Sequence, residues 1–575
     1  MNNLWRKILI PAVFFVSAAC SYKSDSKTVA REILSGKTLH GLEAGVACAH
    51  PEAARIGAEI LAEGGNAVDA SIAVQWALAV CYPNAGNIGG GGFMTARMSN
   101  GALYSLDFRE TAPAAAGRDF YLEEDGSVSP GKSTDTHYAA GVPGTVRGLY
   151  AASDSLGTMN QARLIRPAVE LAERGFPVTA LQAELLNRFA EVFTERNPDG
   201  TAFTAAGGVW NEGDTLRQPA LAATLKRIAE NGAEEFYTGE TAKMILRETD
   251  RRGTWFTPED LAGYRPLWRS PLVCTHDSVR IIAPGPPSSG GVALCQMLET
   301  GKRLRIDTLA HNSTAYIHRL TEIQRRVYAD RAAYLGDPDF VHVPVKALLN
   351  PEYLSERTAG IDLIKATPST AVREGVLPNE SPETTHLSVI DAKGNAVSVT
   401  TTLNGNFGSK IIVSEAGFLL NNEMDDFSIK PGVPNMFGLT GGEANAVAPG
   451  KRMLSSMTPV IVEIHGKPFL AAGSPGGSTI ITSVLQTVLN TVYFNMPIDE
   501  ATAAGKFHSQ WLPDRISFEK NRFYPEVLDS LRSAGHEIHF YPSLGRTDAV
   551  QVMPDGSITA SGDPRADNTA SGIKP

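Results

Sequence analysis

Two hydroxyl-rich runs flank a turn in PETTHLSVIDAKGNAVSVTTTLNG, residues 382–405, and could bring several hydroxyl groups together. Both runs alternate and are rich in Val, Thr and Ile, and the DAKGN between them is typical of a turn, so the stretch predicts a β-hairpin. A turn centred on Lys393 places Thr384 opposite Thr402 and His386 opposite Thr400, on a face that carries hydroxyls. The other face is mostly aliphatic and suits a core. On this stretch alone, threonine as an ordinary strand residue is the favoured interpretation.

The stretch GSPGGST, residues 473–479, predicts an anion-binding turn because it follows a predicted strand and opens a helix. The backbone N–H groups of Gly476 and Gly477 would point at one spot near the helix N-terminus, which can hold an anion or a developing oxyanion. No Lys follows, which excludes a P-loop. An earlier stretch, GNIGGGGF, lacks the GxGxxG spacing and follows a predicted helix, so a tight turn is the favoured interpretation there.

Two further polar clusters lie between the hairpin and the glycine turn. LLNNEMDDFS carries Glu423, Asp425 and Asp426, which could form a solvated acidic turn or a metal site, although no His is near and the spacing is not that of a calcium loop. KRMLSSM places Ser455 and Ser456 after a basic pair. The Gly/Pro-rich stretch between these clusters could be a plain loop or a mobile lid.

The elements that must position these groups form a mixed pattern of helices and strands. Apolar periodicity predicts helices over 50–63, 66–80, 313–335 and 479–493, mostly helical structure over 145–250, and an amphipathic character for the 313–335 helix. Strands are predicted over 93–98 and 103–108 and again after the hairpin, whereas the polar, proline-containing stretch 368–382 predicts an exposed loop. The absence of a clear linker favours one intertwined unit with much antiparallel sheet.

Composition limits the function classes. The 575 residues are 43% hydrophobic and 20% charged, which is ample for a large core. The net charge of -10 and the lack of a Lys/Arg-rich run argue against a nucleic-acid partner.

The first 20 residues predict a secretory signal, with a basic pair, a short apolar run and then small residues. The end of this segment resembles a bacterial lipoprotein box in which Cys20 is lipidated, although Ser17 stands where that pattern prefers Leu. Ordinary cleavage after a small residue is the alternative. We therefore expect an exported, periplasmic protein that is lipid-anchored to the bacterial membrane, with residues 21–37 as a polar tether.

The other four cysteines show no metal-binding or redox spacing. Export would allow Cys48, Cys81, Cys274 and Cys295 to pair, but Cys81 and Cys295 lie in apolar, helix-like contexts. Buried free thiols are therefore the favoured interpretation.

Taken in order, TTHLSVID, VTTTLNGNFGS, LLNNEMDDFS, KRMLSSMTP and GSPGGS resemble the γ-glutamyltransferase (γ-glutamyltranspeptidase) family of N-terminal-nucleophile hydrolases. GGNAVDASIA, DFRETAP, PGPPSSGG and the late GDPRADNTASG agree, so the resemblance covers nearly all of the chain after the tether. It implies a four-layer αββα sandwich, an α+β fold that two self-processed fragments build as one unit, residues 38–383 and 384–575.

In this resemblance, Thr384 is the catalytic nucleophile and Thr402 hydrogen-bonds its hydroxyl. The chain is first cut between Glu383 and Thr384, since an internal Thr has no free amine to act as its base. The backbone N–H groups of Gly476 and Gly477 would form the oxyanion hole.

The resemblance also assigns the ends of the substrate's amino-acid group. Arg109, Ser455 and Ser456 would hold the α-carboxylate, for which Arg is a suitable bidentate donor. The α-ammonium would be held by an amide and two carboxylates, from Asn404, Glu423 and Asp426, so the acidic turn is better interpreted as an ammonium clamp than as a metal site. Residues 431–442 would be the lid, in which Phe437 stands where some bacterial members carry Tyr.

The implied reaction is transfer of a γ-glutamyl group from glutathione or a similar donor to water, or to an amino acid or peptide, without a cofactor or metal. The alternatives are a related acylase (a cephalosporin or glutaryl acylase), a γ-polyglutamate hydrolase, or a non-catalytic surface lipoprotein that keeps the fold for binding. The Arg109, Asn404 and Asp426 set favours a free γ-glutamyl head group.

Overall fold

Two large, mostly antiparallel sheets stack face to face in the computed structural model, which describes residues 31–372, 384–433, 435–436, 438–439 and 441–575. The first sheet has eight strands. In spatial order these are Ile33–Gly36, Thr569–Ile573, Ala44–Cys48, Thr385–Ile390, Ala396–Thr402, Gly91–Arg97, Leu103–Asp107 and Leu267–Arg269. The second sheet has seven strands, in the order Thr38–Leu42, Ile558–Ser561, Asp548–Val552, Lys467–Gly473, Val460–Ile464, Val279–Ala283 and Leu272–His276.

Helices cover the outer face of each sheet. Those whose apolar residues pack with the first sheet are Pro51–Ala62, Ala67–Cys81, Thr145–Leu156, Gln161–Arg174, Ala180–Arg188, Ala190–Arg196, Pro219–Asn231, Glu234–Tyr237, Glu240–Asp250 and Pro258–Gly263. Those that pack with the second are Gly290–Arg303, Thr314–Tyr334, Thr479–Val492, Ile498–Ala503 and Pro525–Ser533. A third, smaller core of Ile, Val, Leu and Ala lies between the sheets. The four-layer αββα expectation is therefore confirmed.

Smaller elements complete the described chain. Two more α-helices are Val345–Leu348 and Pro351–Ala359, and short 3₁₀ helices span His137–Ala139, Ile306–Thr308, Ser369–Ala371, Glu423–Asp426 and Glu443–Asn445. A three-stranded sheet joins Phe507–His508, Ile516–Glu519 and Ile538–Tyr541, and two short pairs join Phe176–Pro177 to Thr215–Leu216 and Ile412–Val413 to Phe418–Leu419.

The hairpin of residues 385–402 has the register that its turn predicts. His386 pairs with Thr400, Ser388 with Ser398, and the aliphatic Leu387 with Val399. The aliphatic face packs into the core beneath the first helical layer. The hydroxyl face contacts the second sheet, where the Ser398 hydroxyl donates to the Ala472 carbonyl at 3.0 Å. Period-2 alternation thus separates a face for apolar packing from a face for hydrogen bonding between sheets.

Two expectations about the chain ends and the cysteines are wrong in part. The predicted tether 21–37 includes Ile33–Gly36, which instead pairs with Thr569–Ile573 as an edge strand, because an exposed backbone edge can accept another strand. Cys274 and Cys295 form a disulfide with a Cα–Cα distance of 6.0 Å, since the sheet edge and the helix after it bring them together. Cys48 and Cys81 are free and buried, as expected.

The long helix Thr314–Tyr334 also differs from its prediction. An amphipathic helix should leave its charged side in solvent, but the charged residues of its C-terminal half are buried. They include Glu322, Arg325, Arg326, Asp330 and Arg331.

No helix within the described ranges is long and apolar enough to cross a membrane. The signal, Cys20 and residues 21–30 lie outside the described residues.

Candidate active site

One cleft with about 310 Å³ of empty space brings together most of the predicted site residues. From the sequence-based set, its lining contains Arg109, Thr384, Thr402, Asn404, Asp426, Ser455, Ser456 and Gly477. Leu439 of the predicted lid also lines the cleft, and three residues without a predicted role complete the lining, Arg331, Met457 and Ile480. Glu423 and Gly476 adjoin this lining without being part of it. Glu383 lies outside the described residues.

Thr384 stands at the start of the hairpin, directly before the strand Thr385–Ile390, and is 4% exposed. Thr402 ends the partner strand and lines the same cleft. The Thr402 hydroxyl accepts the Asn404 backbone N–H at 2.7 Å, which shapes the turn that carries Asn404 into the cleft. Asn404 adopts the left-handed region with φ 76°, a conformation that Asn tolerates better than most residues. The hydrogen bond between the two threonine hydroxyls stays a prediction.

The glycine turn lies between the strand Lys467–Gly473 and the helix Thr479–Val492, as its sequence predicts. Gly476 has φ 135° and Gly477 has φ 53°, both in the region that favours glycine. The Gly476 carbonyl accepts both the N–H and the hydroxyl of Thr479, at 3.0 and 2.6 Å. This bonding turns the carbonyl toward the helix and fixes the peptide unit whose nitrogen belongs to Gly477.

Arg109 is fully buried and is held by three carboxylates. Its guanidinium forms ion pairs with Glu423 at 2.5 Å, with Glu110 at 3.5 Å, and with Asp426. Its Nε donates to the Met453 carbonyl at 3.4 Å. Burial alone would lower the pKa of Arg109, but the carboxylates raise it, so the guanidinium is charged. Four of its five N–H groups therefore already have acceptors.

The same burial raises the pKa of each carboxyl group around Arg109. The pKa of Glu110 rises to about 7, and those of Glu423 and Asp426 rise as well, although Arg109 opposes all three shifts. Glu423 therefore serves the site through Arg109, and the carboxylate that reaches the cleft is that of Asp426, whose side chain is 14% exposed. Asp425 points elsewhere, since it accepts the Ser133 hydroxyl at 2.7 Å and the Met436 N–H at 2.6 Å.

No histidine is among the described residues that line the cleft. His386 is two residues from Thr384, but burial lowers its pKa to about 3 and it stays neutral. Its ring nitrogens form 2.9 Å hydrogen bonds with the hydroxyls of Thr400 and Ser388, which explains the hydroxyl-rich face of the hairpin. Among the described residues, no group of three or more His, Cys, Asp or Glu is arranged to hold a metal ion.

The predicted lid adjoins the acidic side of the cleft. Leu439 lines the cleft. The Asn435 amide donates, at 3.3 Å, to the oxygen of the Asp426 carboxylate that does not contact Arg109. The Gly442 N–H donates to the Ala332 carbonyl at 3.0 Å, which fixes the far end of the loop. Phe437 lies outside the described residues.

Fold and site together define the class of protein. A threonine directly before a central strand of an αββα sandwich, facing a glycine turn across a cleft, is the arrangement of N-terminal-nucleophile hydrolases. A family model described as Gamma-glutamyltranspeptidase matches residues 53–573. The chain belongs to the γ-glutamyltranspeptidase family, and it is an enzyme of that family.

Relatives and solved structures agree with this assignment. The glutathione hydrolase proenzyme of Escherichia coli (strain K12) is 46% identical over 523 residues, covering 91% of this chain and 90% of the relative. The crystal structure of Helicobacter pylori γ-glutamyltranspeptidase has a TM-score of 0.55 at 42% identity, covering 57% of this chain and 94% of the other. A Bacillus halodurans cephalosporin acylase has a TM-score of 0.80 at 26% identity, covering 93% and 96%.

Proposed function

We propose that this chain is a self-processing γ-glutamyltransferase and glutathione hydrolase whose nucleophile is Thr384. The observation that carries the proposal is the composition of one cleft. The Thr384 hydroxyl and the glycine turn at Gly477 share this cleft with two further sets of groups. One set is cationic and hydroxyl-bearing (Arg109, Ser455 and Ser456), and the other is an amide and a carboxylate (Asn404 and Asp426). These are the groups needed for acyl transfer from a substrate with a free amino-acid end.

Self-processing comes first in the proposed sequence. The Thr384 hydroxyl attacks the carbonyl carbon of Glu383, the C–N bond breaks, and the freed amine of Thr384 takes up a proton. Water then hydrolyses the resulting ester and leaves two fragments of one fold, of which one ends at Glu383 and the other comprises residues 384–575. The free α-amine of Thr384 becomes the base that its hydroxyl needs. The hydroxyl of Thr402 assists by a hydrogen bond to the Thr384 oxygen.

The catalytic cycle consists of two acyl transfers. The Thr384 hydroxyl attacks the γ-amide carbon, and the negative charge on the carbonyl oxygen is stabilised by the N–H groups of Gly476 and Gly477. The leaving amine is Cys-Gly when the donor is glutathione. Water resolves the γ-glutamyl ester to glutamate, or the amine of an amino acid or peptide resolves it to a new γ-glutamyl compound.

The amino-acid end of the donor fits the charge pattern of the cleft. Its α-carboxylate would lie against Ser455, Ser456 and Arg109, and its α-ammonium against Asn404 and Asp426, with Glu423 behind Arg109. Because Arg109 and Asp426 already form an ion pair, a zwitterion aligned antiparallel to that pair meets an opposite charge at each end.

A related acylase is the second candidate, and the structural likeness to a cephalosporin acylase favours it. A glutaryl group has the same acyl chain and free carboxylate as a γ-glutamyl group but lacks the α-ammonium. A cleft built for it would not need the carboxylate of Asp426 beside the Asn404 amide. This pair of residues favours the γ-glutamyl substrate.

The test combines intact mass with substrate choice. We expect the purified protein to give two fragments that meet at Glu383 and Thr384, and Thr384→Ala to give one inactive chain. Thr385→Ala is the matched control and should still be cut. The processed enzyme should hydrolyse a γ-glutamyl anilide at least tenfold faster, in kcat/KM, than the glutaryl anilide. A cut Thr384→Ala chain would exclude the proposed nucleophile, and the opposite substrate preference would favour the acylase.

Export is part of the same proposal. A disulfide between Cys274 and Cys295 is typical of proteins that fold in an oxidising compartment, which supports the predicted secretory signal. We propose a periplasmic enzyme anchored through a lipid on Cys20. Cell fractionation of the wild type and of Cys20→Ser tests this: the variant should leave the membrane fraction, and an unchanged distribution would exclude the anchor.

A further inference from the structure

Arg331 is the one arginine besides Arg109 among the described residues that line the cleft. It lies near the end of the helix Thr314–Tyr334 and is 4% exposed. Its Nε donates to the Ser289 hydroxyl at 2.9 Å, and its Nη2 donates to the Ser456 hydroxyl at 3.1 Å. A buried guanidinium thus reaches one of the predicted carboxylate ligands directly.

Arg331 reaches the other serine through Ser289. Both the backbone N–H and the hydroxyl of Ser289 donate to the Ser455 carbonyl, each at 2.7 Å. Because the Ser289 oxygen accepts from Arg331, its hydrogen is directed to this carbonyl. The segment Ser455–Ser456 is therefore fixed at its backbone and at one side chain by hydrogen bonds that begin at a single guanidinium.

The hydrogen-bond directions prepare both serines as donors. A guanidinium has no acceptor, so the Ser456 oxygen must accept from Arg331, and its own hydrogen points away from it. The Ser455 oxygen accepts the Met457 N–H at 3.1 Å. Within the described part of the chain, neither serine hydroxyl has an acceptor for its hydrogen, and both line the cleft. Two O–H groups facing one cleft suit an anionic oxygen ligand.

Arg109 by contrast is largely occupied. Its guanidinium contacts Glu110, Glu423, Asp426 and the Met453 carbonyl, which leaves one N–H for a substrate. A bidentate grip on a carboxylate would require it to release one of these partners. The two serine hydroxyls must then supply much of the recognition of the carboxylate.

We propose that Arg331 is a positioning residue for the donor's α-carboxylate: it holds the Ser456 hydroxyl as a donor and fixes Ser455 through Ser289. This inference rests on the proposed γ-glutamyl substrate. Arg331 acts through the serines, so its loss weakens binding of the α-carboxylate and leaves the acyl-transfer step at Thr384 largely intact.

The experiment compares two donors that differ only in the α-carboxylate, a γ-glutamyl anilide and the 4-aminobutyryl anilide. Arg331→Met should raise KM for the γ-glutamyl anilide by roughly 10- to 100-fold, the range for one charge-assisted hydrogen bond, with kcat changed less than about threefold. KM for the 4-aminobutyryl anilide should match that of the wild type. Arg331→Lys should restore part of the loss.

Two further variants separate positioning from general damage. Ser456→Ala should raise KM in the same way, and combining it with Arg331→Met should add less than the product of the two single effects. Arg319→Met, on the same helix but outside the cleft lining, should leave both donors unaffected. Intact mass and thermal unfolding of each variant show whether it folds and is cut.

The outcomes are distinct. An equal loss on both donors, or no change in KM, would overturn the role of Arg331 while the enzyme's function stands. If Arg331→Met does not fold, the Lys and Ser456→Ala variants carry the same comparison. Wild-type enzyme that ignores the γ-glutamyl anilide would refute the proposed function, and this inference with it.

Discussion

The guanidinium of Arg109 donates a hydrogen bond to the carboxylate of Asp426, which lies 317 residues further along the chain. The pair joins the end of a strand in the first half of the chain to the acidic turn after the hairpin. It also joins the two groups that we assign to opposite ends of the substrate's amino acid. The same contact therefore serves the stability of the fold and the selectivity of the cleft.

Replacing Arg109 should affect both properties. Arg109→Ala leaves the buried carboxyl groups of Glu423 and Asp426 without their cation, so we expect a loss of about 3–5 kcal/mol in the free energy of unfolding. Binding of γ-glutamyl substrates should weaken by about 2–5 kcal/mol. Chemical denaturation and KM measure the two effects.

Arg118→Ala is the matched control for Arg109. Arg118 is paired with Glu443 at 2.9 Å, but its side chain is 36% exposed, so its loss should change stability by less than about 1 kcal/mol. Wild-type KM and stability in Arg109→Ala would remove Arg109 from the site.

Gly476→Ala should damage catalysis more than binding. A methyl group at Gly476 would lie 2.3 Å from the Thr479 hydroxyl, and φ 135° is unfavourable for Ala, so the turn must change. Misplaced N–H groups at this turn should lower kcat by about 10²–10³-fold, the usual effect of losing one oxyanion donor. Steady-state kinetics of fully processed enzyme measure this.

Gly466→Ala separates strain from chemistry. Gly466 also has a left-handed backbone, with φ 75°, but nothing lies within 4 Å of an added methyl group. It occupies the turn between the strands Val460–Ile464 and Lys467–Gly473, at the end opposite the glycine turn. We expect a stability loss of about 1–2 kcal/mol and unchanged kcat. Equal kcat losses in both variants would argue against the oxyanion assignment.

Glu110 should make stability depend on pH near neutrality. Burial raises its pKa from the ordinary 4.5 to about 7, so its protonated form is the one that favours the folded state. This contribution is fully present below pH 4.5 and is lost as pH rises through about 7. Glu110→Gln resembles the protonated form at every pH.

Thermal unfolding of wild type and Glu110→Gln at several pH values tests this. The variant should be more stable above pH 7, by on the order of 2–3 kcal/mol, and the difference should vanish toward pH 4.5. The comparison between the two proteins cancels the carboxyl groups that lie far from Glu110. A difference that is constant with pH would show that Glu110 does not titrate in this range.

Trp511 should control self-cleavage. Its indole N–H donates to the carbonyls of Ser369 and Val372, at 3.0 and 3.2 Å, and the Ser369 N–H donates to Asp514 at 2.7 Å. These contacts fix the chain shortly before the proposed cleavage site. Trp511→Phe removes the indole donor, which is worth about 1–3 kcal/mol for two hydrogen bonds.

The expected result is slower appearance of the two fragments, by up to about a hundredfold, in a time course followed by gel electrophoresis. Trp210→Phe is the control, because the Trp210 indole also donates to a backbone carbonyl, that of Phe203 at 2.8 Å, but outside this region. Equal cleavage rates in wild type and Trp511→Phe would show that these contacts do not position the junction.

The sequence alone determined the local geometry at the site. Period-2 alternation and one turn were enough to set the hairpin register, because a slip of one residue would exchange its apolar and hydroxyl faces. The glycine turn was equally predictable, because its backbone angles lie in the region that favours glycine and a helix follows it. Helix boundaries fell within one or two residues where apolar periodicity was strong.

Only the tertiary structure decided which charges meet. Nothing local in the sequence pairs Arg109 with Asp426 or Cys274 with Cys295, because each contact depends on how distant segments pack. Arg331 lies in a run of charges that looks like a solvated helix face, yet it is buried and donates hydrogen bonds to Ser289 and Ser456. Burial then sets the ionisation of Glu110, a property of the low-polarity interior and not of the residue type.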